Sequence, residues 1–100
     1  MPVHEGTLSS GSLAAGTSAV TAVPALAFGY ILSGGSTAST ISLNDGAGGT
    51  AKWVDSIAAQ TTAGDATISF TFDVPIVFST SLSVVVAGTG ATAFVQYIPL

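Results

Sequence analysis

Ala66-Thr67-Ile68-Ser69-Phe70-Thr71-Phe72-Asp73-Val74-Pro75-Ile76-Val77-Phe78 decides the fold, because its apolar residues return at every second position. Ala66, Ile68, Phe70, Phe72, Val74, Ile76 and Phe78 share one face, and Thr67, Ser69, Thr71, Asp73 and Pro75 share the other. That is the period of a half-buried β-strand. Pro75 lacks the N–H that a ladder needs, so the run reads as two strands meeting at a bend or as an edge strand. The phase of burial is expected to survive the proline.

The same period recurs on either side. Residues 37–44 alternate with Ile41 and Leu43 inward, and Asn44-Asp45-Gly46 supplies a turn that Gly48 and Gly49 lengthen. Residues 51–58 carry Trp53 and Ile57 on one face with Asp55 between them, an imperfect strand. Residues 25–33 are apolar on both faces, Leu26, Phe28, Tyr30 and Leu32 against Ala25, Ala27, Gly29 and Ile31, which reads as a central strand covered on both sides. Residues 82–87 and 91–98 flank Gly88-Thr89-Gly90 and read as a C-terminal hairpin. Before them all, Leu8, Leu13, Val20 and Val23 are widely spaced and broken by Gly6, Gly11 and Gly16, so one strand is expected around residues 12–22.

Nothing competes with this reading. Ser and Thr number 26, Gly 12 and Val 10, all poor helix formers, and no long stretch has the 3.6-residue period. Seven or eight short strands, spaced by ~8–12 residues, predict an all-β chain. The expected form is a single-domain antiparallel β-sandwich or jelly roll over residues 13–100, with residues 1–12 as an extended N-terminal arm. A chain of 100 residues hides only ~60–65% of its surface on folding, so the core is thin.

Charge is the unusual property of the composition. Only 6% of the residues are Asp, Glu, Lys or Arg, against ~25% in an ordinary soluble domain. Lys52 is the sole lysine or arginine, and the formal charge of -4 leaves no basic patch to release counterions from nucleic acid. With 48% hydrophobic residues a membrane span has to be considered, but the longest apolar stretch, residues 19–32, is short and interrupted by Thr21, Pro24 and Gly29. Met1-Pro2-Val3-His4-Glu5 lacks the basic start and apolar block of a secretory signal, so the chain is expected to act where it is made. Cysteine is absent, which removes disulfide and thiolate chemistry.

No enzyme is expected, nor any catalytic, metal or cofactor site. His4 has only Glu5 beside it, too few ligands for zinc, and no serine sits in a Gly-x-Ser-x-Gly elbow. Asp45, Asp55, Asp65 and Asp73 are scattered about ten residues apart, a spacing that suits turns and strand ends better than a carboxylate pair or a calcium site. The glycine clusters precede neither a helix nor a Walker lysine. Trp53, Tyr30 and Tyr97 are the residue types that stack on sugars, although a tryptophan in so small a core is more often buried in it.

Residues 28–97 resemble small structural proteins of tailed phages. The resemblance is carried by Ser33-Gly34-Gly35-Ser36-Thr37-Ala38-Ser39-Thr40-Ile41-Ser42-Leu43, by Thr67-Ile68-Ser69-Phe70-Thr71-Phe72-Asp73-Val74-Pro75, and by the Val-rich run from Leu82 through Gly88-Thr89-Gly90-Ala91-Thr92-Ala93. It implies a β-sandwich protomer of the virion, made in the host cytoplasm and used as a capsid decoration or cement protein or as a tail or fibre part, often as a trimer. It brings no catalytic residue, and the Gly-rich arm departs from its pattern.

Two readings of the surface follow. Small neutral side chains lose little rotamer entropy when ordered, and interface cores are depleted in Lys, Glu and Asp, so low charge reads as a mark of assembly. The expected partners are other copies of the chain, a trimer being favoured, and a major capsid protein or other virion proteins. The arm and the Ser/Thr/Ala faces are expected to make the contacts. The plainer alternative is a polar domain whose Thr-rich strands simply face water. A further function class is a tail or fibre-tip module that binds host glycan through Trp53.

Overall fold

The computed structural model of the chain describes residues 7–62 and 64–100. Among the described residues nine strands follow in order: β1 (Leu8–Ser9), β2 (Leu13–Ala14), β3 (Gly16–Ala19), β4 (Ala25–Ser33), β5 (Ser39–Asp45), β6 (Thr50–Ile57), β7 (Thr67–Phe78), β8 (Leu82–Ala87) and β9 (Thr92–Pro99). They form two antiparallel sheets. The front sheet runs β1-β9-β4-β7, with β2 also on β9, and the back sheet runs β3-β8-β5-β6. The chain is the all-β, single-domain antiparallel sandwich that the alternation predicts.

One face of each sheet makes the core. Tyr30, Leu32, Phe78 and Val95 from the front sheet meet Ile41, Leu43, Leu82, Val84 and Val86 from the back sheet, each at most 2% exposed. Burying a side chain of this size is worth roughly 1.5–3 kcal/mol relative to exposure. Ile41 and Leu43 point inward as their alternation requires.

The decisive run is the edge strand its proline allowed and not two strands meeting at a bend: residues 67–78 form one strand. β7 lies at the edge of the front sheet, and its pairing with β4 breaks between Ala27↔Ile76 and Gly29↔Thr71. Residues 72–75 of β7 then stand opposite Phe28 alone, so the missing N–H of Pro75 leaves no ladder bond unmade. The phase of burial does not survive unchanged. Phe72 and Phe78 are buried, but Val74, inside the break, is 78% exposed.

The same break corrects the reading of β4. Before it Ala25 and Ala27 face the core, and after it Tyr30 and Leu32 do, so the inward set changes parity within the strand. Apolar residues on both faces thus reflect partly this switch and not a second covering layer. β4 is central in its sheet, but Leu26 and Ile31 of its outer face are only half-buried. At the break the two backbones come close: a Cβ on Gly29 would lie 2.4 Å from the Phe70 carbonyl oxygen.

The C-terminal hairpin is not formed. β8 pairs with β3 and β5 in the back sheet, and β9 pairs with β4 and β1 in the front sheet, so Gly88-Thr89-Gly90 arches between sheets. Tertiary bonds hold the arch. The Ser36 N–H donates to the Thr89 carbonyl at 2.8 Å, and the Thr89 N–H donates to Thr37 Oγ1 at 2.9 Å. Gly88 has φ +118, and a Cβ there would meet Ser39 Oγ at 2.4 Å, so only glycine fits. The true hairpin is β5–β6, closed by residues 46–49, with the Gly49 N–H donating to the Gly46 carbonyl at 2.9 Å.

The N-terminal strand expected over residues 12–22 is split between sheets, β2 pairing with β9 and β3 with β8, after a bend at Ala15. Of the arm expected over residues 1–12, residues 1–6 lie outside the described residues. Leu8 and Ser9 run antiparallel along β9, opposite Tyr97 and Gln96, so this part belongs to the sheet edge. Among the described residues no helix is long and apolar enough to cross a membrane.

Candidate functional site

Edge strands β6 and β7 face one another on one flank of the sandwich, and there the aromatic residues gather. Trp53 lies 5.0 Å from Phe70 and 4.9 Å from Phe72, ring centre to ring centre, and Tyr30 stacks on Phe70 at 6.2 Å. Phe70 and Phe72 are 5.5 Å apart. Tyr30 is buried and Trp53 half-buried, whereas Phe70 leaves 43% of its surface to solvent.

Asp55 explains the imperfect alternation of β6. Its carboxylate sits on the inward side between Trp53 and Ile57, where it accepts the Tyr30 hydroxyl through Oδ2. The Trp53 indole Nε1–H in turn donates to Tyr30 Oη at 3.0 Å. A buried phenol needs such partners. Burial first, and then the bond to Asp55 and the Asp55 charge, push the Tyr30 hydroxyl up to about 12, against a smaller opposing effect of the Trp53 N–H.

Of the three rings suited to sugar, the structure joins Tyr30 and Trp53. Tyr97 lies on β9 between Leu8 and Ala27. Trp53 spends its only polar group on Tyr30. Phe70 and Phe72, read from the sequence as core positions of the strand, complete the cluster. Their shared face with Trp53 follows from the packing of β6 on β7 and had no signal in the local pattern.

The other acids serve loops. Asp45 Oδ1 accepts the Thr80 N–H at 2.8 Å and Oδ2 accepts the Ser79 hydroxyl at 3.0 Å, tying the β5–β6 turn to the β7–β8 loop. The Thr80 N–H above all, then Ser79 and the charge of Lys52, hold this carboxyl below the usual carboxylate value, against some desolvation. Asp65 lies in the β6–β7 connection and Asp73 in the β7 break. Among the described residues no three His, Cys, Asp or Glu side chains come together, and the surface forms no pocket. His4 lies outside the described residues.

The charged side chains are sorted in space. Asp45, Lys52, Asp55, Asp65 and Asp73 all lie on β5, β6, β7 or the link between the last two. β1, β2, β3, β4, β8 and β9 carry none. The two outer faces differ as well. On the front sheet Leu26 is flanked by Val77 and Ile98, and Ile31 by Phe94, with Val77 49% and Phe94 38% exposed. On the back sheet the corresponding positions are mostly Thr17, Ala19, Thr40, Ser42, Ser56 and Ala87, with Val54 and Val85 among them.

Compared with known proteins, the chain matches no family model, no curated protein and no solved structure.

Proposed function

We propose that the chain is a structural subunit of a multi-copy assembly, a capsid decoration or cement protein of a tailed phage that stabilises the head shell by docking on the major capsid protein. The observation that supports this reading is the sorting of charge: the described charged side chains occupy one flank, and the rest of the sandwich offers neutral surface. Docking such surface requires no desolvation of ions and freezes few long side chains, so more of the apolar burial becomes net binding free energy. Many copies on a shell then multiply weak individual contacts into firm attachment.

Quantitative mass spectrometry of gradient-purified particles tests the assignment. The chain should appear at tens to hundreds of copies per particle, and recovery only in the soluble fraction refutes it. A recognition role at a tail or fibre tip draws on a different feature, the exposed Phe70 ring beside Trp53. Saturable glycan-array binding that is lost in Phe70→Ala while the fold is retained favours that reading.

A further inference from the structure

Asp45-Gly46 is the one place in the sequence where an aspartate precedes a glycine. Asp55, Asp65 and Asp73 precede Ser56, Ala66 and Val74, whose side chains shield the backbone nitrogen that follows the acid. We infer that Asp45-Gly46 is a site of covalent self-modification, the isomerisation of aspartate to isoaspartate, and that Ser79, Thr80 and Ser81 of the β7–β8 loop hold it shut.

The reaction needs no partner but water. The Gly46 nitrogen attacks Asp45 Cγ, and a carboxyl oxygen leaves as water, taking the acid proton and the amide proton. A five-membered succinimide results. Water then reopens the ring at either carbonyl. Addition at Cγ restores aspartate. Addition at the main-chain carbonyl breaks its bond to nitrogen, so the chain runs through Cγ and the former main-chain carbonyl becomes a free carboxylate on the α-carbon.

Ring closure has three requirements, and the loop or the strand it leads into denies each. The carboxyl must be neutral to release its oxygen, but Oδ1 accepts the Thr80 N–H at 2.8 Å and Oδ2 accepts the Ser79 hydroxyl at 3.0 Å, bonds that favour the ionised form. The nitrogen must be free to attack, but the Gly46 N–H donates to the Ser81 carbonyl at 2.9 Å. The residue must leave the extended conformation to bring that nitrogen onto Cγ, but Asp45 is the last residue of β5 and is paired with Leu82 on one side and Thr50 on the other.

Three consecutive loop residues thus supply a hydroxyl, an N–H and a carbonyl to one dipeptide. Opening of the loop removes all three restraints together, so the reaction proceeds through the open state and its rate follows the population of that state. The product makes the opening permanent. Isoaspartate adds a methylene to the main chain and carries its carboxylate one atom closer to it, so the register that sets Asp45 on Thr80 and Gly46 on Ser81 is lost.

The sole lysine or arginine makes the test simple, because trypsin cuts once, after Lys52, and Asp45 is the only aspartate in fragment 1–52. The chain is incubated at neutral pH, folded or in denaturing urea, then cleaved and labelled with an isoaspartate methyltransferase. Deamidation of Asn44 also yields isoaspartate but raises the mass, which tells the two apart. In urea, fragment 1–52 should gain label ahead of fragment 53–100, and Asp45→Glu should abolish that gain. In the folded chain the gain should be about tenfold slower or more. Ser79→Ala should accelerate it by about threefold or more in the folded chain and leave it unchanged in urea, with the far-ultraviolet circular dichroism retained, whereas Ser79→Thr keeps the hydroxyl and the slow rate. Equal rates for folded and denatured wild type, equal folded rates for wild type and Ser79→Ala, or label in fragment 53–100 as fast as in 1–52 overturns the inference.

Discussion

Replacing Tyr30 by Phe removes one oxygen atom from the buried side of the aromatic cluster and keeps the ring that packs on Phe70 and Phe72. Two bonds go with it, the donation to the Asp55 carboxylate and the acceptance from the Trp53 indole. A hydrogen bond to a charged group contributes about 1.5–3 kcal/mol and a neutral one about 1. Asp55 and Trp53 are half-buried and regain some water, so a loss of about 2 kcal/mol is expected at pH 8.

Alkaline pH separates this account from mere packing. In the unfolded chain the Tyr30 phenol ionises at its ordinary value of 10.0, and in the folded chain it keeps its proton to about 12. Its stabilising contribution is therefore complete below pH 10 and is lost as pH rises through 12, at ~1.4 kcal/mol per pH unit for one proton. The full span amounts to about 3 kcal/mol, an upper figure against the 2 kcal/mol above. Urea unfolding followed by the fluorescence of Trp53, the only tryptophan, measures both proteins at pH 8, 10 and 11.5. The gap between wild type and Tyr30→Phe should close to below about 1 kcal/mol at the highest pH. A gap that is absent at pH 8, or constant up to pH 11.5, refutes the reasoning.

Two further outcomes follow from the same structure. Asp45→Asn should lower the melting temperature at neutral pH by loosening Thr80 and Ser79. Because the folded carboxyl titrates below 3.8, that difference should persist above this value and vanish as acid protonates Asp45, which thermal melts from pH 7 to 2 will follow. Val74→Ser should change stability by less than about 0.5 kcal/mol although the alternation counts Val74 with the core face, whereas Phe78→Ala, at a fully buried site, should cost about 3–5 kcal/mol in chemical denaturation.

Much of the fold is legible because burial on one face imposes a period of two wherever it acts. Ile41 and Leu43 in β5 and a turn at Gly46, Gly48 and Gly49 are read correctly from neighbours alone, since each depends on contacts a few residues away, whereas Asn44 and Asp45, expected in that turn, are the last two residues of β5. Val74 and the β4 faces are misread for one reason. A break in pairing shifts parity on both strands, and its position is set by how β4 and β7 meet across more than forty residues of chain. The aromatic cluster was half legible: Trp53 and Tyr30 stood out as residue types, but Phe70, Phe72 and Asp55 join them only because β6 and β7 end up on the same flank.

Strand content, single-sandwich architecture and the shortage of charge are properties of local pattern and composition, so the chain's residues settle them without reference to one another at a distance. Which sheet each strand enters is a different kind of fact. Gly88-Thr89-Gly90 suits a hairpin and an arch equally well, and the bonds from Ser36 and Thr37 select the arch. The collection of all described charges on one flank, and of Leu26, Val77, Ile98, Ile31 and Phe94 on one open face, likewise arises from pairing between distant segments, whose free energy no local window contains.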